Sequence, residues 1–289
     1  MSQIRLIGVM KKSKIYAFLA LPRSYFSLTT SPAIALLVSL MVGISEPATL
    51  TILYFFYLLS TAFLNSYNNL MDARSDALTK DRFPIPLGLV TLREAYLFSA
   101  STFTVAAVLA TLIASLNNFA GYTAFANLAL SFLYSAPNVR LKRFPLIKGG
   151  VLVAHTLLTP FIVANLILGH NPLHRINPLI PLFLIGLAVH IVQDIGDVEG
   201  DKLMGDKTLP IILGVKNSVI LALGLITISA MLIVFYEGSF KVIALVLTTA
   251  QLPLLCMLFI REEMWKYVFW ISSTLSAGVV ASLLNGCCG

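Results

Sequence analysis

Asn68, Asp72 and Asp76 recur at i, i+4 and i+8, and Asp194, Asp197 and Asp201 recur at i, i+3 and i+7. On a helix each set falls on one face. Asn65 extends the first face by a turn, and His190 extends the second. Each stripe presents two or three side-chain oxygens, the amide oxygen of Asn68 included. Mg²⁺ takes oxygen ligands and commonly shares its coordination sphere with substrate phosphates. The chain has 13 Asp and Glu, and seven of them are Asp72, Asp76, Asp194, Asp197, Glu199, Asp201 and Asp206. Both groups close apolar stretches, where carboxylates are costly unless something cationic meets them. With basic loops nearby, the chemistry suggested is Mg²⁺ holding a diphosphate. Loop carboxylates paired with Lys and Arg would account for either group alone. Two groups at equivalent places in an internal repeat are harder to explain that way.

Composition places the stripes in a membrane. Hydrophobic residues make up 58% of 289 and charged residues 11%, with a mean hydropathy of +0.88. Soluble domains carry about 25% charged residues. The length supplies about nine spans of about 20 residues. We read apolar spans at about 17–43, 48–72, 92–115, 118–137, 149–169, 178–198, 216–236, 239–260 and 265–285. Pro and Gly punctuate the connections, at Pro84, Pro86, Pro137, Pro145, Gly149 and Pro210 among others. No cleavable signal peptide is read at the N-terminus, because the first apolar stretch is interrupted at Pro22-Arg23. Cys256, Cys287 and Cys288 lack metal-ligand spacing and read as plain thiols.

The net charge of +7 follows topology and does not point to nucleic acid. Of the 20 Lys and Arg, 18 fall in the N-terminal segment, at Arg23 just inside span 1, or in loops 2–3, 4–5, 6–7 and 8–9. Only Arg175 and Lys241 fall on the other side. The positive-inside rule therefore places the N-terminus and both acidic clusters in the cytoplasm, in a protein integral to the cell membrane. A weak internal repeat joins Asp72-x3-Asp76, followed by Pro84 and Gly88, to Asp197-x3-Asp201, followed by Pro210 and Gly214. The expected fold is all-α. It has two four-helix units, about 16–137 and 149–260, and a ninth helix at about 265–285. Residues 1–289 form a single transmembrane domain, and if spans 2 and 6 face each other the stripes flank a central cavity.

These motifs resemble those of the UbiA superfamily of intramembrane prenyltransferases. That family carries N-D-x-x-D-x-x-x-D in its first Asp-rich region and D-x-x-D-x-x-x-D in its second. The second pattern is matched in full by Asp194, Asp197 and Asp201. The first is matched at Asn68, Asp72 and Asp76, with Asn69 where the family usually has Asp. The family's K-P-x-R-P-x-P-x-G stretch is altered here to the segment from Lys80 to Gly88, with Phe83 between Arg82 and Pro84. A third family-like stretch is Tyr134-Ser135 followed by Leu141-Lys142-Arg143.

The resemblance implies a Mg²⁺-dependent transfer of a prenyl group from a polyprenyl diphosphate donor. The implied acceptor is a 4-hydroxybenzoate-like aromatic or geranylgeranylglyceryl phosphate. Asp72, Asp76, Asp194, Asp197 and Asp201 are then catalytic and, with Asn68, metal ligands. Arg82, Lys142, Arg143 and Lys207 suit diphosphate oxygens, and their alternative is topology or headgroup contact. Arg23 is intramembrane and so functional by default, though snorkelling would also place it there. Tyr134 suits either a developing cation or a membrane interface. His190 and His155 read as packing hydrogen bonders.

Two other classes fit parts of the pattern. A cation- or proton-coupled transporter also combines acidic residues with a repeat, but its carboxylates usually lie near the midplane, in inverted repeats. A structural scaffold leaves the repeated Asp spacing unexplained. The topology is directly testable. An impermeant thiol reagent applied to sealed cells should label Cys287 and Cys288; labelling only after permeabilisation would mean an even number of spans.

Overall fold

The structure, a computed structural model, describes residues 14–22, 25–79, 83–235, 241–260 and 262–288. Among them every regular element is helical. We number α1 Lys14–Ala20, α2 Tyr25–Val42, α3 Pro47–Met71, α4 Ala73–Thr79, α5 Leu92–Leu116, α6 Asn118–Ser135 and α7 Pro145–Val153. There follow α8 Thr159–Ile167, α9 Leu179–Ile195, α10 Val198–Leu203, α11 Leu209–Leu213, α12 Val215–Val234, α13 Lys241–Thr249, α14 Gln251–Ile260 and α15 Trp265–Cys288. One turn of π-helix, Ala154–Leu158, joins α7 to α8.

Among the described residues, five helical segments are long and apolar enough to cross a membrane: Pro47–Met71, Leu92–Leu116, Pro145–Ile167, Val215–Val234 and Lys241–Leu258. Thr30–Val42 and Leu179–Ile195 are apolar but shorter. Two expected spans are interrupted. Span 1 breaks after Ala20, where Pro22 bars its predecessor Leu21 from continuing the helix. Span 8 breaks at Ala250; Pro253 has no N–H with which to bond the Thr249 carbonyl. Span 5 starts four residues earlier than expected, at Pro145, because proline suits the first helical position. That shift takes Lys148 out of the loop and into the first turn of α7.

The chain divides into two units. The first holds the described residues up to Ala33 together with Pro47–Leu141. Here α3 packs on α5 and α6, and the Ser99 hydroxyl donates to Ser66 Oγ across α5 and α3 at 2.8 Å. Thr91 and Glu94 form a reciprocal capping box that starts α5. The Asn117 side chain accepts from the Ala120 N–H at 3.1 Å and starts α6. Gly121 lets α5 and α6 approach closely, since a Cβ there would lie 2.2 Å from Ala114 Cβ. Ala17 and Leu21 of the α1 segment pack with Val90 and Ala95.

The second unit holds Ile34–Glu46 and the described residues from Lys142 onward. In it α9 packs on α7, α12 and α15. The Ser229 hydroxyl of α12 donates to the Pro181 carbonyl of α9 at 3.1 Å. Glycines set the closeness of α9 to α7. A Cβ at Gly186 would lie 2.7 Å from Val153 Cγ2, and one at Gly149 would lie 3.1 Å from Leu187 Cδ2.

Asn69 is rotated about 100° from Asn68 on the helix, and it does a different job. Its buried amide Nδ2 donates to the Leu21 carbonyl, tying α3 to the end of the α1 segment. A carboxylate at this position has no hydrogen to donate. Asn69→Ala should therefore destabilise the protein by about 1–3 kcal/mol, the cost of stranding a buried polar group. Asn69→Asp should destabilise it at least as much, read as a lowered melting temperature in detergent. A stable Asn69→Asp protein would remove the tether's importance.

Candidate active site

The first stripe is a continuous helical face. The Asp72 N–H donates to the Asn68 carbonyl at 2.9 Å, and the Asp76 N–H to the Asp72 carbonyl at 2.9 Å. The i, i+4, i+8 spacing therefore survives the junction between α3 and α4. All three side chains are buried: Asn68 is 5%, Asp72 6% and Asp76 3% exposed. The end of α6 and the turn after it supply partners from the same unit. The Ser135 hydroxyl donates to Asn68 Oδ1 at 2.9 Å. One Arg140 guanidinium nitrogen lies 3.1 Å from Asp72 Oδ1. Arg140 has a backbone φ of +44°, in the left-handed region that residues bearing a Cβ rarely adopt. Tyr134 is buried one residue before Ser135.

The second stripe is not a single helix. The chain turns at Gly196-Asp197, with the Asp197 N–H donating to the Asp194 carbonyl at 3.1 Å. Helix α10 then restarts, and the Asp201 N–H donates to the Asp197 carbonyl at 2.8 Å. The ends of the stripe nevertheless converge on one cation. Lys148 Nζ lies 2.7 Å from Asp194 Oδ1 and 2.9 Å from Asp201 Oδ2. His190 shares a 3.0 Å hydrogen bond with Gln193 Oε1 and is thereby occupied within its own helix.

Within the second unit, three expected phosphate-binding residues lie on two adjoining segments. The Lys207 N–H donates to the Arg143 carbonyl at 3.1 Å, so the loop after α10 borders the end of the 3-10 turn Leu141–Arg143. Lys142 is buried, while Arg143 and Lys207 are exposed. The Arg143 guanidinium sits 4.8 Å from the centre of the Phe144 ring. Arg23 and Arg82 lie outside the described residues.

Sequence reasoning missed Arg140, Lys148 and the role of Ser135. Arg140 and Lys148 read there only as positive-inside charges. The available signal was Pro145, which starts the helix early enough to bury Lys148.

Among the described residues no three His, Cys, Asp or Glu side chains close into a ready-made metal cage. The donors fit Mg²⁺ in kind rather than in number. They are all oxygens from Asn and Asp, and Mg²⁺ completes its octahedron with water and substrate phosphate.

Known proteins share features of this chain. The UbiA prenyltransferase family matches residues 28–277. Over 150 residues the chain is 37% identical to digeranylgeranylglyceryl phosphate synthase of Methanopyrus kandleri, a stretch covering 52% of each protein. The chain thus spans about half the length of that relative. A structure solved for insight into digeranylgeranylglyceryl phosphate synthase in membranes is 25% identical. It superposes with a TM-score of 0.63, covering 95% of this chain and 99% of that one. A UbiA homologue from Archaeoglobus fulgidus bound to GPP and Mg²⁺ shares the fold at 19% identity and a TM-score of 0.67, over 93% of this chain and 99% of that one. Two oxygen stripes, each at the end of an apolar helix, and a match over most of the chain lead to one assignment: the chain belongs to the UbiA prenyltransferase family.

Proposed function

We propose that this protein transfers a prenyl group, within the membrane, from a polyprenyl diphosphate to geranylgeranylglyceryl phosphate. The donor by this reading is geranylgeranyl diphosphate. Relatives named for that product support the acceptor. The single observation that carries the chemistry is the pair of stripes, each made only of amide and carboxylate oxygens.

Asn68, Asp72 and Asp76 in one stripe, and Asp194, Asp197 and Asp201 in the other, are the residues that would hold Mg²⁺. Mg²⁺ held there would neutralise the diphosphate and make it a better leaving group. Lys142, Arg143 and Lys207, with Arg23 and Arg82, bind diphosphate oxygens by charge-assisted hydrogen bonds. The acceptor hydroxyl oxygen forms a bond to C1 of the prenyl chain. The C1–O bond to diphosphate breaks, its electron pair departs with the diphosphate, and the hydroxyl proton is released. C1 carries positive charge during the transfer. The face of Tyr134 suits that charge, and apolar surroundings keep water from intercepting it. In this reading the N-terminus and both stripes lie on the cytoplasmic side, which the distribution of Lys and Arg supports.

The test is direct. Membranes containing the protein are incubated with labelled geranylgeranyl diphosphate, Mg²⁺ and a panel of acceptors, and the product is identified by mass. We expect digeranylgeranylglyceryl phosphate, and no product in EDTA. A product formed only with 4-hydroxybenzoate would replace the acceptor. Asp72→Asn and Asp197→Asn should each lower turnover at least about 100-fold, the scale of losing one electrostatic stabiliser of transferring charge; Asp72→Asn, which also removes the charge that Arg140 pairs with, should melt lower as well. Full activity in either variant would sink the metal-binding reading.

A further inference from the structure

The geometry points to Lys148 as the internal counter-ion of the second stripe, a cation that divalent metal displaces from Asp194 and Asp201 when the site loads. This inference rests on the metal-binding role proposed above for that stripe. Four observations lead to it. First, Lys148 Nζ contacts one oxygen of each carboxylate, at 2.7 Å and 2.9 Å. It spans the turn at Gly196-Asp197 and holds the two ends of the stripe to one point. Second, Lys148 and Asp194 are buried and Asp201 is partly so. The Lys148 side chain is 9% exposed, Asp194 6% and Asp201 17%. Two carboxylates so placed repel each other unless a cation lies between them.

Third, the position is wrong for the helix on which Lys148 stands. Lys148 lies in the first turn of α7, where its N–H donates to the Phe144 carbonyl at 2.9 Å. The helix dipole favours anions at that end and disfavours ammonium. Positive-inside topology does not explain a buried lysine either, because that rule concerns charges in aqueous loops. The compensation comes from the stripe. Fourth, the backbone is built to deliver this contact. Gly149 lies against Leu187 and His190 of α9, and Gly186 of α9 lies against Val153. The glycines on both helices bring α7 close enough to α9 for the lysine to reach the carboxylates.

An ammonium and a divalent ion ligated by Asp194 and Asp201 compete for the same oxygens. Lys148 therefore keeps the metal-free stripe assembled and, in doing so, weakens its hold on metal. The two effects have opposite signs when the charge is removed, which makes them separable.

Mn²⁺, a paramagnetic substitute for Mg²⁺, can be titrated into the full-length protein in detergent with inorganic pyrophosphate present, and bound metal read by electron paramagnetic resonance. Lys148→Met and Lys148→Gln should bind Mn²⁺ about tenfold more tightly than the wild type, the equivalent of roughly 1.4 kcal/mol. Both should melt at a lower temperature in EDTA and recover more stability on adding Mg²⁺ than the wild type does. Lys148→Arg, which keeps the charge, should retain wild-type affinity. Unchanged or weaker metal affinity in Lys148→Met and Lys148→Gln would overturn the counter-ion role while leaving the metal site intact. No Mn²⁺ binding by the wild type would overturn the metal reading itself, and this inference with it.

Discussion

A carboxylate withdrawn from water must meet a cation or hydrogen-bond donors, because its desolvation otherwise costs more than folding can return. That constraint organises both acidic stripes. Asp72 is met by Arg140, and Asp194 and Asp201 are met by Lys148. Each basic partner sits where local backbone physics disfavours it. Arg140 occupies a left-handed backbone region, and Lys148 faces the positive end of its own helix dipole. Such local costs persist where surrounding structure outweighs them, and they gather at functional sites. Here the compensating element in each case is a carboxylate of the stripe.

The helices deliver these contacts through small residues and interruptions rather than through long uniform spans. Gly121, Gly149 and Gly186 allow close approach within the units, as small residues do where lipid supplies no hydrophobic drive between helices. The break at Pro22 ends α1, and Asn69 then holds the Leu21 carbonyl. The amide at position 69 gives this chain a donor where the family pattern has a carboxylate. The departure from the family motif thus matches a physical need for a hydrogen on that atom.

Much of this was legible in the sequence. The all-α class follows from apolar content and spacing, and the membrane reading from the scarcity of charge. The helical period alone puts Asn68, Asp72 and Asp76 on one face, and it turns Asn69 away from them. Periodicity misleads at Asp194, Asp197 and Asp201, where Gly196-Asp197 interrupts the helix and a lysine, not the period, brings the ends together. Arg140 and Lys148 were hidden because loop charges in a membrane protein already have an explanation in topology. The start of α7 decides the difference for Lys148. Four residues of helix gained at Pro145 convert a solvated loop lysine into a buried one.

If Mg²⁺ at these carboxylates holds the donor diphosphate, as proposed, donor binding must depend on the metal. Calorimetric titration of the purified protein with a non-hydrolysable geranylgeranyl thiodiphosphate analogue tests it without requiring any acceptor. Binding should be strong with Mg²⁺, nearly absent in EDTA, and lost with Mg²⁺ present when Asp197 is replaced by Asn. Equal affinity in Mg²⁺ and in EDTA would contradict the account, since the diphosphate would then be held by basic side chains alone.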